Sequence, residues 1–110
     1  MATRGVITLL APASRSESGN SGNGIYSGEN NEAVVYLDIT AASGTDPVLN
    51  VIVEDTIDGT NWDTVESFTQ ASGTGREVKR INNFSRYMRV KYTIGGTEPD
   101  FTFSVRAYIK

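Results

Sequence analysis

"RYMRVKYTI", residues 86–94, is the stretch on which the fold turns. Met88, Val90, Tyr92 and Ile94 recur at every second position, so in an extended chain they share one face. Arg86, Arg89, Lys91 and Thr93 do not all follow so cleanly. The same period of two returns downstream in "FTFSVRAYI", residues 101–109, with Phe101, Phe103, Val105, Ala107 and Ile109 inward and Thr102, Ser104, Arg106 and Tyr108 outward. Upstream, "AVVYLDIT" (33–40) sets Val35, Leu37 and Ile39 against Val34, Tyr36 and Asp38. "VLNVIVED" (48–55) puts Leu49, Val51 and Val53 on one face, and "WDTVESF" (62–68) is a shorter strand.

Between these runs lie "ASGTDP" (42–47), "DGTN" (58–61), "ASGTG" (71–75) and "GGTEPD" (95–100), which read as loops with turn chemistry. About six to eight short strands at this spacing predict an all-β antiparallel two-sheet sandwich, jelly-roll-like, with almost no helix. No internal repeat is evident. The expected core is Leu37, Ile39, Leu49, Val51, Val53, Val90, Tyr92, Phe101, Phe103 and Val105, with Trp62 largely buried beside it.

Composition excludes several classes of function. A chain of 110 residues forms one ordinary domain, and a formal charge of −3 provides no basic face for nucleic acid. Cysteine and histidine are both absent, which removes the commonest general base, the best thiol nucleophile and the commonest metal ligands. Asp and Glu total 13, but a glycosidase pair needs a deep cleft that raises one pKa, which a small sandwich rarely offers. "SGNSGNG" (18–24) has glycines without the Lys-Ser/Thr of a phosphate loop. The expectation is a protein that is not an enzyme, with no cofactor, no metal, and neither nucleic acid nor membrane as partner. "GVITLLAPA" (5–13) is too short to span a bilayer and lacks the layout of a signal peptide.

The chain divides at residue 32. Residues 1–32 comprise a short apolar strand, Val6 to Leu10, and a Gly/Ser/Asn-rich arm, "SRSESGNSGNGIYSGENN" (14–31); residues 33–110 form the sandwich. The arm is too polar to fold alone, so residues 14–32 are expected to be disordered in an isolated monomer and to order on assembly. Val6, Ile7, Leu9, Leu10, Ile25 and Tyr26 are its candidate interaction residues. The strand at 6–10 has two equal readings: pairing with its own sheet, or adding to a neighbour's sheet edge.

"EDTIDGTNWDTVESF" (54–68), which carries the chain's single tryptophan, admits three readings. Asp55, Asp58, Asn61 and Asp63 group hard oxygen ligands, as a calcium corner does, but at no EF-hand spacing. Trp62 beside Asp and Asn suits a sugar platform only if exposed, with Tyr26, Tyr36 or Tyr108 extending it. The favoured reading is a hairpin with a four- or five-residue loop. In it Gly59 takes a positive φ, Asp58 and Asn61 bond the turn backbone, and Trp62 caps the core. Asp58, Gly59 and Trp62 are thus assigned as a structural anchor.

These residues also carry a resemblance. An acidic strand end, "DGTNW", a Gly-rich loop, "SRYMRVKYTI" and the closing "GTEPDFTFSVRAYIK" resemble the DG…W…RY-R-V pattern of small β-sandwich structural proteins of tailed bacteriophages, over residues 33–110. Discoidin-type domains share a comparable hairpin, but this chain lacks their length and their frequent cysteines. The phage resemblance implies a virion structural protein of the head decoration (cement) type. It would sit on the phage head surface and bridge capsid subunits, with the major capsid protein and copies of itself as partners. The alternatives are a tail, baseplate or adsorption component, or a carbohydrate-binding β-sandwich module.

Overall fold

The computed structural model describes residues 5–22, 24–26, 32–82 and 84–110, with the side chains of Ile25 and Tyr26 outside the described residues. The described residues form seven strands: β1 (Gly5–Arg15), β2 (Gly19–Asn20), β3 (Ile25–Tyr26), β4 (Glu32–Thr56), β5 (Asp63–Ser67), β6 (Gly75–Asn82) and β7 (Tyr87–Ile109). No helix occurs among the described residues. β4 and β7 are far longer than an ordinary strand of about five or six residues. They pair antiparallel from Ala33↔Ile109 to Thr56↔Tyr87. This ribbon folds over at its middle and supplies the two central strands of both layers. The first sheet runs β6, residues 33–42 of β4, residues 101–109 of β7, then β1. The second runs β5, residues 48–56 of β4, residues 87–95 of β7, then β2 and β3. The product is the expected antiparallel sandwich, wound as a jelly roll.

The fold-over has a chemical cause. "SGTDP" (43–47) and "GGTEP" (95–99) meet at the crossing, with Thr45 paired to Thr97. Gly44 and Gly96 both have φ of +111°, and Asp46 and Glu98 have φ of +48° and +49°. Each glycine backs onto the other strand's acidic residue: a Cβ on Gly44 would lie 2.7 Å from the Glu98 carbonyl oxygen, and one on Gly96 2.6 Å from that of Asp46. The two motifs are related by an approximate two-fold through Thr45 and Thr97. Among the described residues β1 to β3 flank β7, while β5 and β6 flank β4. The reading of these motifs as loops between separate strands is therefore corrected. They are bends within continuous strands.

The period-two faces meet between the layers. Val35, Leu37, Ile39, Leu49, Val51, Val53, Met88, Val90, Phe101, Phe103, Val105, Ala107 and Ile109 are all buried. Tyr92 of the second sheet meets Phe103 of the first edge-on, with ring centroids 5.3 Å apart, and is only half-buried. Leu9, Leu10, Ala33, Phe68, Ile81 and Phe84 complete the core. Two consecutive leucines face inward because a bulge lies between Thr8↔Arg106 and Leu10↔Val105.

The N-terminal region departs from the expected division at residue 32. β1 pairs with β7 of its own chain over Gly5–Arg15, so this strand belongs to the sandwich. The Ser/Gly-rich stretch after it lies along β7 and substitutes side chains for ladder partners. Ser18 Oγ accepts from the Ile94 N–H, and Ser21 Oγ from the Val90 N–H, each at 2.9 Å. Small residues suit this closeness: at Gly24 a Cβ would fall 2.8 Å from both the Trp62 ring and the Met88 carbonyl. Polarity that argued against folding alone serves docking onto a preformed edge. Of the expected ordering segment, residues 23 and 27–31 lie outside the described residues.

Candidate functional site

β4 and β5 form a hairpin, from Ile52↔Ser67 to Asp55↔Asp63, whose loop, residues 56–62, is longer than the four or five residues expected. Its loop is organised by Asp58. Asp58 Oδ1 accepts from the Thr60 N–H (2.8 Å), the Asn61 N–H (2.9 Å) and the Thr56 hydroxyl (2.9 Å), while Oδ2 accepts from Asn61 Nδ2 (2.8 Å). The Asn61 and Thr60 amides foremost, then the Asn61 side chain and Thr56, hold the carboxyl well below the ordinary carboxylate range. A depressed folded pKa stabilises at any pH above the unfolded value of about 4, and the contribution is lost as pH falls toward the folded one. Gly59 has the expected positive φ, +81°. Asp58 thus spends both oxygens on donors, and Asp55 Oδ2 accepts the Ser85 N–H at 2.8 Å. That is the wiring of a turn. No cluster of three or more potential metal-binding acidic residues occurs among the described residues.

Trp62 lies elsewhere than expected. It is half-buried and stays outside the core cluster. The Arg89 guanidinium stacks on its ring, 4.1 Å from the centroid. Arg89 alternates with the buried Met88 and Val90, so Trp62 covers the outer surface of the second sheet. Beneath it Arg89 Nε donates to Glu54 Oε1 at 2.8 Å, and Glu54 is itself buried. The ring roofs an ion pair and leaves the hydrophobic interior to others. Arg89→Ala removes both the stack and Glu54's charged partner, a loss of about 2 kcal/mol. Urea denaturation followed by fluorescence of this single tryptophan should show it, together with a changed native emission.

The outer face of the first sheet gathers exposed aromatic, aliphatic and arginine side chains. Cross-strand register places Arg80, Val34, Tyr108 and Val6 in one row, and Val78, Tyr36, Arg106 and Thr8 in the next. Arg76 stands opposite Asp38 in a third row, and its guanidinium lies 5.4 Å from the Tyr36 ring centroid. Val6 is 68% exposed and Tyr108 41%, while Arg76, Arg80 and Arg106 are all exposed. None of these arginines makes an ion pair among the described residues. Val6, Tyr36, Arg76 and Arg106 border a shallow hollow in this face. Aromatic and arginine side chains are the ones enriched at protein interfaces.

Of the predicted interaction residues, Val6 joins this face, Ile7 is partly buried, and Leu9 and Leu10 enter the core. Ile25 and Tyr26 pair by backbone with Met88 and Tyr87. Tyr36, Arg106 and Tyr108 were legible as outward positions. Arg76 and Arg80 were not, because "GREVKRIN" (75–82) lacks a clean apolar alternation. The signal available was the alternation of Arg76, Val78 and Arg80.

No protein-family model matches this sequence, and no curated protein matches it. Solved structures share its fold. PBSX exported protein XepA superposes with a TM-score of 0.66 at 14% identity, over 94% of this chain and 36% of that one. A chain of broad bean stain virus gives 0.54 at 9% identity, over 87% and 58%. The disulfide-linked pili of Bacillus endospore appendages give 0.51 at 10% identity, over 98% and 89%. The chain spans about a third of XepA's length. At these identities the likeness is one of fold: a β-rich sandwich whose structural neighbours include viral and other structural proteins.

Proposed function

We propose that this chain is a non-catalytic structural protein of a bacteriophage virion, a decoration (cement) protein that bridges capsid subunits on the head surface. The observation that carries the reading is the outer face of the first sheet. It holds only a shallow hollow and is populated by Val6, Tyr36, Tyr108, Arg76, Arg80 and Arg106, which suits a protein surface better than a small substrate. Its arginines favour an acidic surface on the capsid partner, since guanidinium binds carboxylates in bidentate geometry. The virion setting comes from the DG…W…RY-R-V resemblance. The fold is compatible, because a plant virus and a bacterial pilus present it in their own structures. Many weak copies bridging a shell stabilise it collectively.

A sugar platform is less favoured for a specific reason. Trp62 gives a ring face to Arg89, and Tyr36 has Arg76 over its ring. The test is cryo-EM of intact particles containing the protein, combined with heating of particles that lack it. The expected results are density on the head and DNA release at a lower temperature. Density on the tail, or unchanged head stability, would replace this reading with that of a tail or adsorption component. Arg106→Glu should weaken binding to stripped heads by about tenfold or more without altering the melt, since a like-charged contact replaces a complementary one.

A further inference from the structure

We infer that the chain pairs with a second copy of itself along the free edge of β1, centred on Ile7. The hydrogen-bonding parity of the first sheet identifies that edge. Glu32 and Lys110 exchange both backbone hydrogen bonds, at 3.1 and 3.0 Å. Antiparallel ladders alternate bonded and non-bonded pairs, so the even-numbered residues at this end of β7 turn their amides toward β4. Ile109 and Ala107 turn theirs toward β1, where Gly5 and Ile7 receive them. The N–H and C=O groups of Val6 and Thr8 therefore point away from β7. β1 ends the sheet order among the described residues, so no strand there meets them.

Among the described residues the sandwich's other edges are each protected, and this one is not. β6 carries Arg76, Glu77, Lys79 and Arg80, and β5 is a short strand of 5 residues bearing Asp63 and Glu66. The outer edge of residues 87–95 is covered by β2, β3 and the Ser18 and Ser21 hydroxyls. Charge, shortness and covering are the ordinary defences of an edge. Even the later part of β1 is closed. It contains Pro12, and Arg15 donates to the carbonyls of Ala11 (2.7 Å) and Ala13 (3.2 Å). "GVITLL" (5–10) has no charge, no proline and an exposed valine.

A second copy fits this edge by symmetry. A two-fold through Ile7 sets Val6 against the partner's Thr8 and Thr8 against the partner's Val6, with their outward amides and carbonyls facing each other. The contact strands bring no like charges together. Arg106 and its symmetry mate are separated by three strand spacings, about 14 Å, beyond the screening length of about 8 Å at physiological salt. The joined sheet also makes the two outer faces continuous. The inference rests on edge geometry and stands independently of the virion reading.

Sedimentation velocity of the full chain over a wide concentration range tests it. The native protein should shift from 11.9 kDa toward twice that mass as concentration rises. Thr8→Pro removes an outward N–H while sparing the ladder to β7, and Val6→Lys adds charge at the edge. Both variants should stay at monomer mass with an unchanged far-UV spectrum. A native chain that is monomeric throughout, or a Val6→Lys chain that dimerises like the native one, would overturn the inference.

Discussion

Alanine at Phe103 should lower the unfolding free energy by about 3–5 kcal/mol, since the lost transfer energy adds to a residual cavity. The position is fully buried in the first sheet and opposes Tyr92 of the second. The Arg15 guanidinium closes over it, 4.7 Å from the ring centroid, while donating to the Phe103 carbonyl at 2.7 Å. The ring thus joins both layers and the end of β1. Neighbouring backbone belongs to the long β4–β7 ribbon, which cannot collapse locally without disturbing both sheets, so the cavity should persist. Leucine, which keeps most of the volume, should recover much of the loss. Urea denaturation monitored at Trp62 measures both variants, and a loss under about 1 kcal/mol for alanine would contradict the cavity argument.

That Phe103 faces inward was readable from "FTFSVRAYI" alone, as was the alternation of Met88, Val90, Tyr92 and Ile94. Period-two patterning reports which face is dry, and every inward position it indicated in residues 101–109 is buried. It does not report where a strand ends. Gly-Thr-Asp-Pro and Gly-Thr-Glu-Pro have the composition of loops, and only their mutual contact turns them into bends. Trp62 was misplaced for a related reason. A large aromatic after a turn suits a core cap, but Arg89 offers a stacking partner on the outer surface, and one-dimensional patterning does not reveal such a pair. The outer face of the first sheet was partly legible, because Tyr36, Arg106 and Tyr108 alternate outward; Arg76 and Arg80 needed β6 to be placed beside β4. The Ser/Gly-rich stretch hid its role most completely, since its hydroxyls act only against an edge built by residues far along the chain.

The crossing of β4 and β7 yields the other large expected effect. Gly96→Ala should cost roughly 3 kcal/mol or more, because two penalties coincide there. The backbone holds φ of +111°, a region that L side chains rarely adopt, and the new Cβ would meet the Asp46 carbonyl oxygen at 2.6 Å and the Pro47 Cα at 3.0 Å. Those neighbours are backbone, so no rotamer change relieves the contact. Relief requires the two bends to separate, which pulls apart the Thr45–Thr97 pairing on which both sheets depend. Gly44→Ala should behave alike, since its Cβ would meet the Glu98 carbonyl oxygen at 2.7 Å. The double variant should lose less than the two single losses combined, because one displaced bend already makes room for the other. Gly73→Ala is the control: nothing lies within 4 Å of its Cβ, and its stability should stay within about 0.5 kcal/mol of the native value. Thermal and urea unfolding of the four variants would decide the matter. Additive losses, or a Gly96→Ala protein as stable as Gly73→Ala, would mean that the crossing is loosely held and that the symmetry of the two motifs has no energetic consequence.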